Sequence, residues 1–212
     1  MPQQSKLFVF DFDGTLADSF HLVIEAYNKY ASKLFLKPVS IEEIPSLRKL
    51  STQELVMHFR IGPLRLPLLV FLIRRHIRKN ISNVPPFEGL SNFLLKLSES
   101  GALLAVLTSS ERKSVEAFWD RHKLPPLSAG RYNVGYFKKA SALDSLIKEC
   151  GFDGERKNVM LIGDEVRDID AAHKCSTLST AVTWGFANKE ALAKAKPFYL
   201  VESILEMQKE FL

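Results

Sequence analysis

Six short apolar runs punctuate the chain, separated by stretches in which hydrophobic residues recur at helical spacing. Residues 6–12, 102–108 and 158–162 are the strongest, apolar at nearly every position and without polar alternation. Residues 132–136, 178–183 and 198–201 are weaker. Uninterrupted apolar strands belong where both faces are covered, as in a parallel sheet flanked by helices. Between the runs, the pattern predicts helices over 90–100, 111–122, 140–150, 168–175 and 189–196. Strand and helix therefore alternate, and the expected fold is α/β, a three-layer Rossmann-like parallel sheet.

The interval 17–87 breaks this alternation. It contains no convincing strand. Ser51-Thr52-Gln53-Glu54 has the form of a helix-starting capping box, and Leu66, Leu69, Ile73 and Ile77 share one helical face. Residues 83–87, with two prolines, read as a hinge back to the sheet. The expected organisation is a catalytic core of 1–16 and 88–212, with a small helical cap, 17–87, inserted after the first strand.

Composition changes this picture little. Of 212 residues, 46% are hydrophobic and 25% charged, as in ordinary soluble globular proteins. A net charge of +5 hints at an anionic ligand without demanding nucleic acid. The most apolar stretch, 64–73, is interrupted by Arg65 and Pro67 and falls short of the roughly 20 residues a bilayer requires. With no signal-peptide pattern, a cytoplasmic location is expected. Cys150 and Cys175 lie in no metal-ligand spacing and read as free thiols. The oligomeric state is not legible, and monomer is the default.

The chemistry concentrates where apolar runs end. Asp11-Phe12-Asp13-Gly14-Thr15-Leu16 closes the first strand, and ligands of open α/β sheets bind at such carboxyl ends. A strand followed by an Asp-Gly turn accounts for Asp13 and Gly14, but not for an acid at Asp11 inside an apolar run. Two carboxylates this close repel unless a cation or shared proton relieves them. A second acidic group, Gly163-Asp164-Glu165-Val166-Arg167-Asp168, follows the 158–162 run, with Asp164 and Asp168 four apart. Acids at a helix start are often only dipole partners. Gathered with Asp11 at one sheet edge, without His or Cys, they suit a hard, oxygen-seeking ion such as magnesium.

Thr108-Ser109-Ser110 ends another apolar run. Hydroxyls there can cap a helix while free backbone N–H groups cradle phosphate. Lys138 and Lys139 open a helix, where cations are electrostatically unwelcome. Ala140, Leu143, Ile147 and Cys150 mark that helix's buried stripe. Lys139 lies four residues before Leu143 and so on the inward side. Lys138 sits on the side of Ala142, Ser145 and Glu149, which reads as solvated.

These motifs, in this order, resemble the haloacid dehalogenase superfamily, in particular its phosphoglycolate phosphatase-like members. The resemblance spans essentially the whole chain, with the helical interval where that family places its cap. It implies a phosphatase acting on a small phosphorylated metabolite, with Asp11 as nucleophile and Asp13 as general acid and base. It further implies magnesium held by Asp11, the main-chain carbonyl of Asp13, Asp164 and Asp168 (as ligand or anchor), and phosphoryl oxygens bound by Thr108, Ser109 and Lys139. Similar members often carry Asn where this chain has Ser110. A phosphomutase would share every motif. A dehalogenase would not need Asp13, and a non-catalytic relative could have lost Asp11 or Asp164.

Other residues are assigned ordinary roles. His21, His58, His76, His122 and His173 form no ligand spacing. Arg74, Arg75, Arg78 and Lys79 read as a solvated helix face, with anion steering as the lesser alternative. Trp184 and Phe186 read as packing residues. Arg48 and Lys49 sit in an expected loop that could face the site and read the substrate.

Overall fold

The computed structural model describes residues 6–47, 50 and 52–212. Arg48 and Lys49, the pair expected to read the substrate, lie outside the described residues, as does Ser51 of the capping-box pattern.

Six parallel strands form one sheet: β1 (Leu7–Phe10), β2 (Leu103–Leu107), β3 (Ala129–Arg131), β4 (Val159–Gly163), β5 (Leu178–Val182) and β6 (Tyr199–Val201). Their spatial order is β3-β2-β1-β4-β5-β6. The central strand shows why an all-apolar run belongs there. Side chains alternate across a strand, so Leu7 and Val9 face a cluster with Leu143, Leu146 and Ile147. Phe8 and Phe10 face the opposite cluster, with Phe93, Leu94 and Phe118. Each fully buried side chain of this size is worth about 1.5–3 kcal/mol.

The expected strand at 132–136 is a correction. The edge strand is instead Ala129–Arg131, and a 3-10 turn occupies Tyr136–Lys138. Asn133 adopts a left-handed conformation, φ 54°, which ends extended pairing inside the more strand-like sequence. Ala-Gly-Arg carries no strand signal of its own.

Among the described residues, four α-helices follow β1 within the interval 17–87: α1 (Phe20–Ala31), α2 (Ile44–Leu47), α3 (Thr52–His58) and α4 (Leu66–Asn80). Pro67 sits in the first turn of α4, where no intrahelical N–H is lost. α1 and α4 pack on each other around a separate apolar cluster of Tyr27, Leu36, Leu47 and Leu69. Leu22, Ile81 and Val84, by contrast, join the cluster under the sheet.

The remaining helices are α5 (Leu90–Glu99), α6 (Arg112–Arg121), α7 (Lys139–Glu149), α8 (Val166–Lys174), α9 (Lys189–Lys194) and α10 (Ile204–Phe211). The last was not anticipated. The Ser203 side chain caps it by accepting from the Glu206 N–H, and Ile204 and Met207 are buried. No helix among the described residues is long and apolar enough to cross a membrane.

The strand order reverses between β1 and β4, because the chain leaves β1 for one side of the sheet and later returns on the other. The carboxyl ends at such a switch point form a crevice. Asp11, Thr108 and Asp164 follow directly on β1, β2 and β4.

Candidate active site

Asp11 continues the ladder one residue past β1. Its N–H donates to Ile162 O at 2.8 Å, and the residue is 2% exposed. The Phe12 N–H donates to Asp11 Oδ1 at 2.8 Å, fixing the carboxylate plane. Phe12 is fully buried, edge-on to Phe118, and so anchors the chain between the two acids. A tight loop follows, closed by the Leu16 and Ala17 N–H groups on Phe12 O. Gly14 turns it with φ +76°, and a Cβ there would collide with Asp164 and the Phe186 ring. The glycine allows two strand ends to approach closely.

Asp164 is wholly buried. Thr15 Oγ1 donates to its Oδ1 and the Phe186 N–H donates to its Oδ2, both at 2.8 Å. Asp168 takes two roles through two oxygens. Its Oδ2 accepts from the Glu165 N–H at 3.0 Å, half of a reciprocal capping box at the start of α8. Its Oδ1 faces Lys139. The structure thus places Asp168 both in a helix cap and in the acidic cluster.

Lys139 opens α7 pointing inward, 4% exposed, with Nζ 2.7 Å from Asp11 Oδ2 and paired also with Asp168. Lys138 is exposed. Arg167 completes the charge arrangement. Its guanidinium is 2.6 Å from Glu165 Oε2 and 3.7 Å from Asp11 Oδ2, and its side chain is largely covered. The motifs of the sequence assign Arg167 no role. Its signal was the one that singled out Lys139, a cation in a helix's first turn.

Asp13 lies half-buried, turned toward Ser110, whose hydroxyl donates to Asp13 Oδ2. The Ser110 N–H in turn donates to Thr108 Oγ1 at 2.9 Å, and Thr108 is buried. Ser109 lines the cleft beside them. Loss of solvation raises the Asp13 pKa; the Ser110 bond opposes the rise and the Asp11 charge adds to it. Asp164 is raised further, by burial first and then by Glu165, Asp11 and Asp168. Burial alone would lower Lys139, but the Asp11 and Asp168 carboxylates outweigh it and hold the ammonium charged.

Asp11, Asp164 and Asp168 each offer an oxygen within 4.8 Å of the others. The donors are all carboxylate, the set that magnesium prefers. Asp11, Asp13, Asp164, Glu165 and Asp168 together face only Lys139 and Arg167 among the cations of the cluster. The buried Asp168 Oδ1 has the Lys139 ammonium as its partner. The residues fit a divalent cation. The Asp13 side chain is not among the three clustered acids.

Above them lies a cleft of about 360 Å³, walled by Asp11, Asp13, Ser109, Ser110 and Arg167 on the sheet side. Arg74 and Arg78 of α4 close it from the other side, and Arg78 is held 3.1 Å from Glu111. Both arginines are exposed, in keeping with a solvated face, and they stand one helical turn apart over the cleft. Phe186 also lines it, so its role extends beyond packing.

The family model for haloacid dehalogenase-like hydrolases matches residues 8–182. A phosphoglycolate phosphatase from Synechococcus elongatus is 31% identical over 196 residues, covering 92% of each chain. Another, from Agrobacterium fabrum, is 26% identical over 200 residues, covering 87% of this chain and 83% of its own. Among solved structures, a haloacid dehalogenase-like family hydrolase from Streptococcus pneumoniae superposes with a TM-score of 0.78 at 19% identity, over 99% of both chains.

Proposed function

The chain belongs to the haloacid dehalogenase-like hydrolases and is a phosphoric monoester hydrolase, and on that premise we propose a magnesium-dependent phosphatase that forms an aspartyl-phosphate on Asp11. The observation that carries this reading is the Asp11 carboxylate, held between Lys139 and Arg167 at the end of β1, with Asp13 two residues on.

In the proposed first step an Asp11 oxygen attacks phosphorus and the ester P–O bond breaks. Asp13, whose raised pKa favours the acid form, gives its proton to the departing alkoxide. In the second step Asp13 takes a proton from water, the water oxygen attacks the phosphoryl group, and Asp11 is regenerated as phosphate leaves. Thr108, Ser109 and Lys139 bind the transferring oxygens, while Arg167 adds positive charge beside Asp11. Asp11, Asp164 and Asp168, with the Asp13 carbonyl, would hold magnesium, which neutralises phosphoryl charge when bound. The helices of 17–87 act as a cap over the cleft, through α4.

The test is release of inorganic phosphate from a panel of small phosphomonoesters, phosphoglycolate included, with magnesium and with excess chelator. Turnover in magnesium and silence in chelator are expected. Isomerised ester without free phosphate would indicate a mutase instead, and full activity in chelator would remove the metal.

Ser110 supplies a pH prediction. Its hydrogen bond lowers the Asp13 pKa, so Ser110→Ala should let that pKa rise further. The acid form would then persist to higher pH, and the basic limb of the kcat/KM profile should move upward. A downward shift would remove Asp13 as the general acid.

A further inference from the structure

Beside the catalytic cleft lies a second chamber, about 320 Å³, inside the helices that precede β2. It is walled by α1, α3 and α4 together with the segment around Ile61. Apart from Arg74 and Glu165, the lining side chains among the described residues are apolar or aromatic. Tyr27 brings the one hydroxyl, and that is already committed, donating to Lys37 O at 2.9 Å. Among the described residues, the charged groups of the lining are Arg74 and Glu165, both shared with the catalytic cleft.

Two features set the chamber apart from an ordinary packing gap. Val23, Val56, Phe59 and Ile73 remain only half-buried along it, so apolar surface is left uncovered inside the fold, which costs about 25 cal/mol per Å². Concave apolar surface of this kind takes apolar ligand groups. The chamber also continues into the catalytic cleft, because Arg74, Glu165 and Phe186 line both. An ester whose phosphoryl group sits at Asp11 would pass Phe186 and Arg74 and place the rest of its alcohol in the chamber.

We propose that this chamber is the leaving-group subsite, and that the preferred substrate is a phosphomonoester of an apolar alcohol, with an alkyl or aryl body. The proposal rests on the phosphatase reading above and narrows it. A wholly polar alcohol would leave the chamber empty and gain nothing from it. An apolar body would be stabilised in proportion to the surface it buries, and Arg74 at the mouth would hold the phosphate end outside.

The experiment is competitive inhibition of p-nitrophenyl phosphate hydrolysis by a series of n-alkylphosphonates, from methyl upward. In the wild type Ki should fall about fourfold per added methylene, the equivalent of ~0.8 kcal/mol each, until the chamber is filled. Val23→Trp and Val56→Trp, which fill the chamber from α1 and from α3, should abolish the dependence on chain length while leaving the methylphosphonate Ki near its wild-type value. A flat series in the wild type overturns the proposal and leaves the phosphatase reading intact. A slope that persists in both variants overturns it too, since the apolar body would then bind elsewhere. Failure to hydrolyse the reporter in magnesium would instead sink the phosphatase reading. Calorimetric titration of the same phosphonates would then still decide the chamber.

Discussion

Asp11→Asn should stop turnover, lowering kcat/KM by on the order of 10⁴–10⁶-fold, as loss of a covalent nucleophile does elsewhere. The amide is nearly isosteric but cannot attack phosphorus, and it removes one of the crowded negative charges. Lys139 would keep Asp168 as a partner, and Arg167 would keep Glu165. The Asp11 N–H bond to Ile162 belongs to the backbone and survives the change. The variant should therefore fold with a melting temperature, in chelator, at or above that of wild type. Phosphate release and thermal unfolding, measured on the same preparation, separate the two effects. Turnover within tenfold of wild type would remove the aspartyl-phosphate from the account, whereas an unfolded variant would make Asp11 a structural residue.

The parts of this molecule visible in its sequence are those encoded locally. β1, β2 and β4 announce themselves because both faces of each strand are buried, so no polar position interrupts them. Asp11 and Asp164 were legible because acids contrast with such runs, and the inward phase of Lys139 because helical period fixes direction. β3 was misplaced since its three half-buried residues carry no strand propensity, and its position depends on pairing with Ala105–Leu107. The long-range contacts of the site share that origin. Ser110 meets Asp13 across 97 positions of sequence and the Phe186 N–H meets Asp164 across 22, contacts that no local pattern encodes. Arg74 and Arg78 are exposed, as the amphipathic pattern of their helix indicates. Only the placement of α4 over the sheet's carboxyl ends turns them toward the chemistry.

Lys139 offers a prediction in which activity and stability change together. Its ammonium is buried between Asp11 and Asp168, with Asp164 in the same cluster. Removing one partner of a buried ion pair leaves the other uncompensated, at about 3–5 kcal/mol. Lys139→Ala should accordingly lose stability in chelator, the carboxylates being left with Arg167 alone among the neighbouring cations of the cluster. Because a divalent cation at these acids would supply the missing charge, magnesium should recover more melting temperature in the variant than in wild type. Catalysis should not recover with it, since the lysine also meets charge that develops on the transferring phosphoryl group. Its loss should cost ~2–4 kcal/mol in the transition state, roughly 30- to 1,000-fold in kcat/KM. Lys138→Ala, one residue earlier and exposed, should change neither quantity appreciably. Melting curves with and without magnesium, set beside kcat/KM for both variants, test this. A Lys138 variant with the larger loss would reverse the assignment, and equal magnesium stabilisation of Lys139→Ala and wild type would separate the lysine from the metal site.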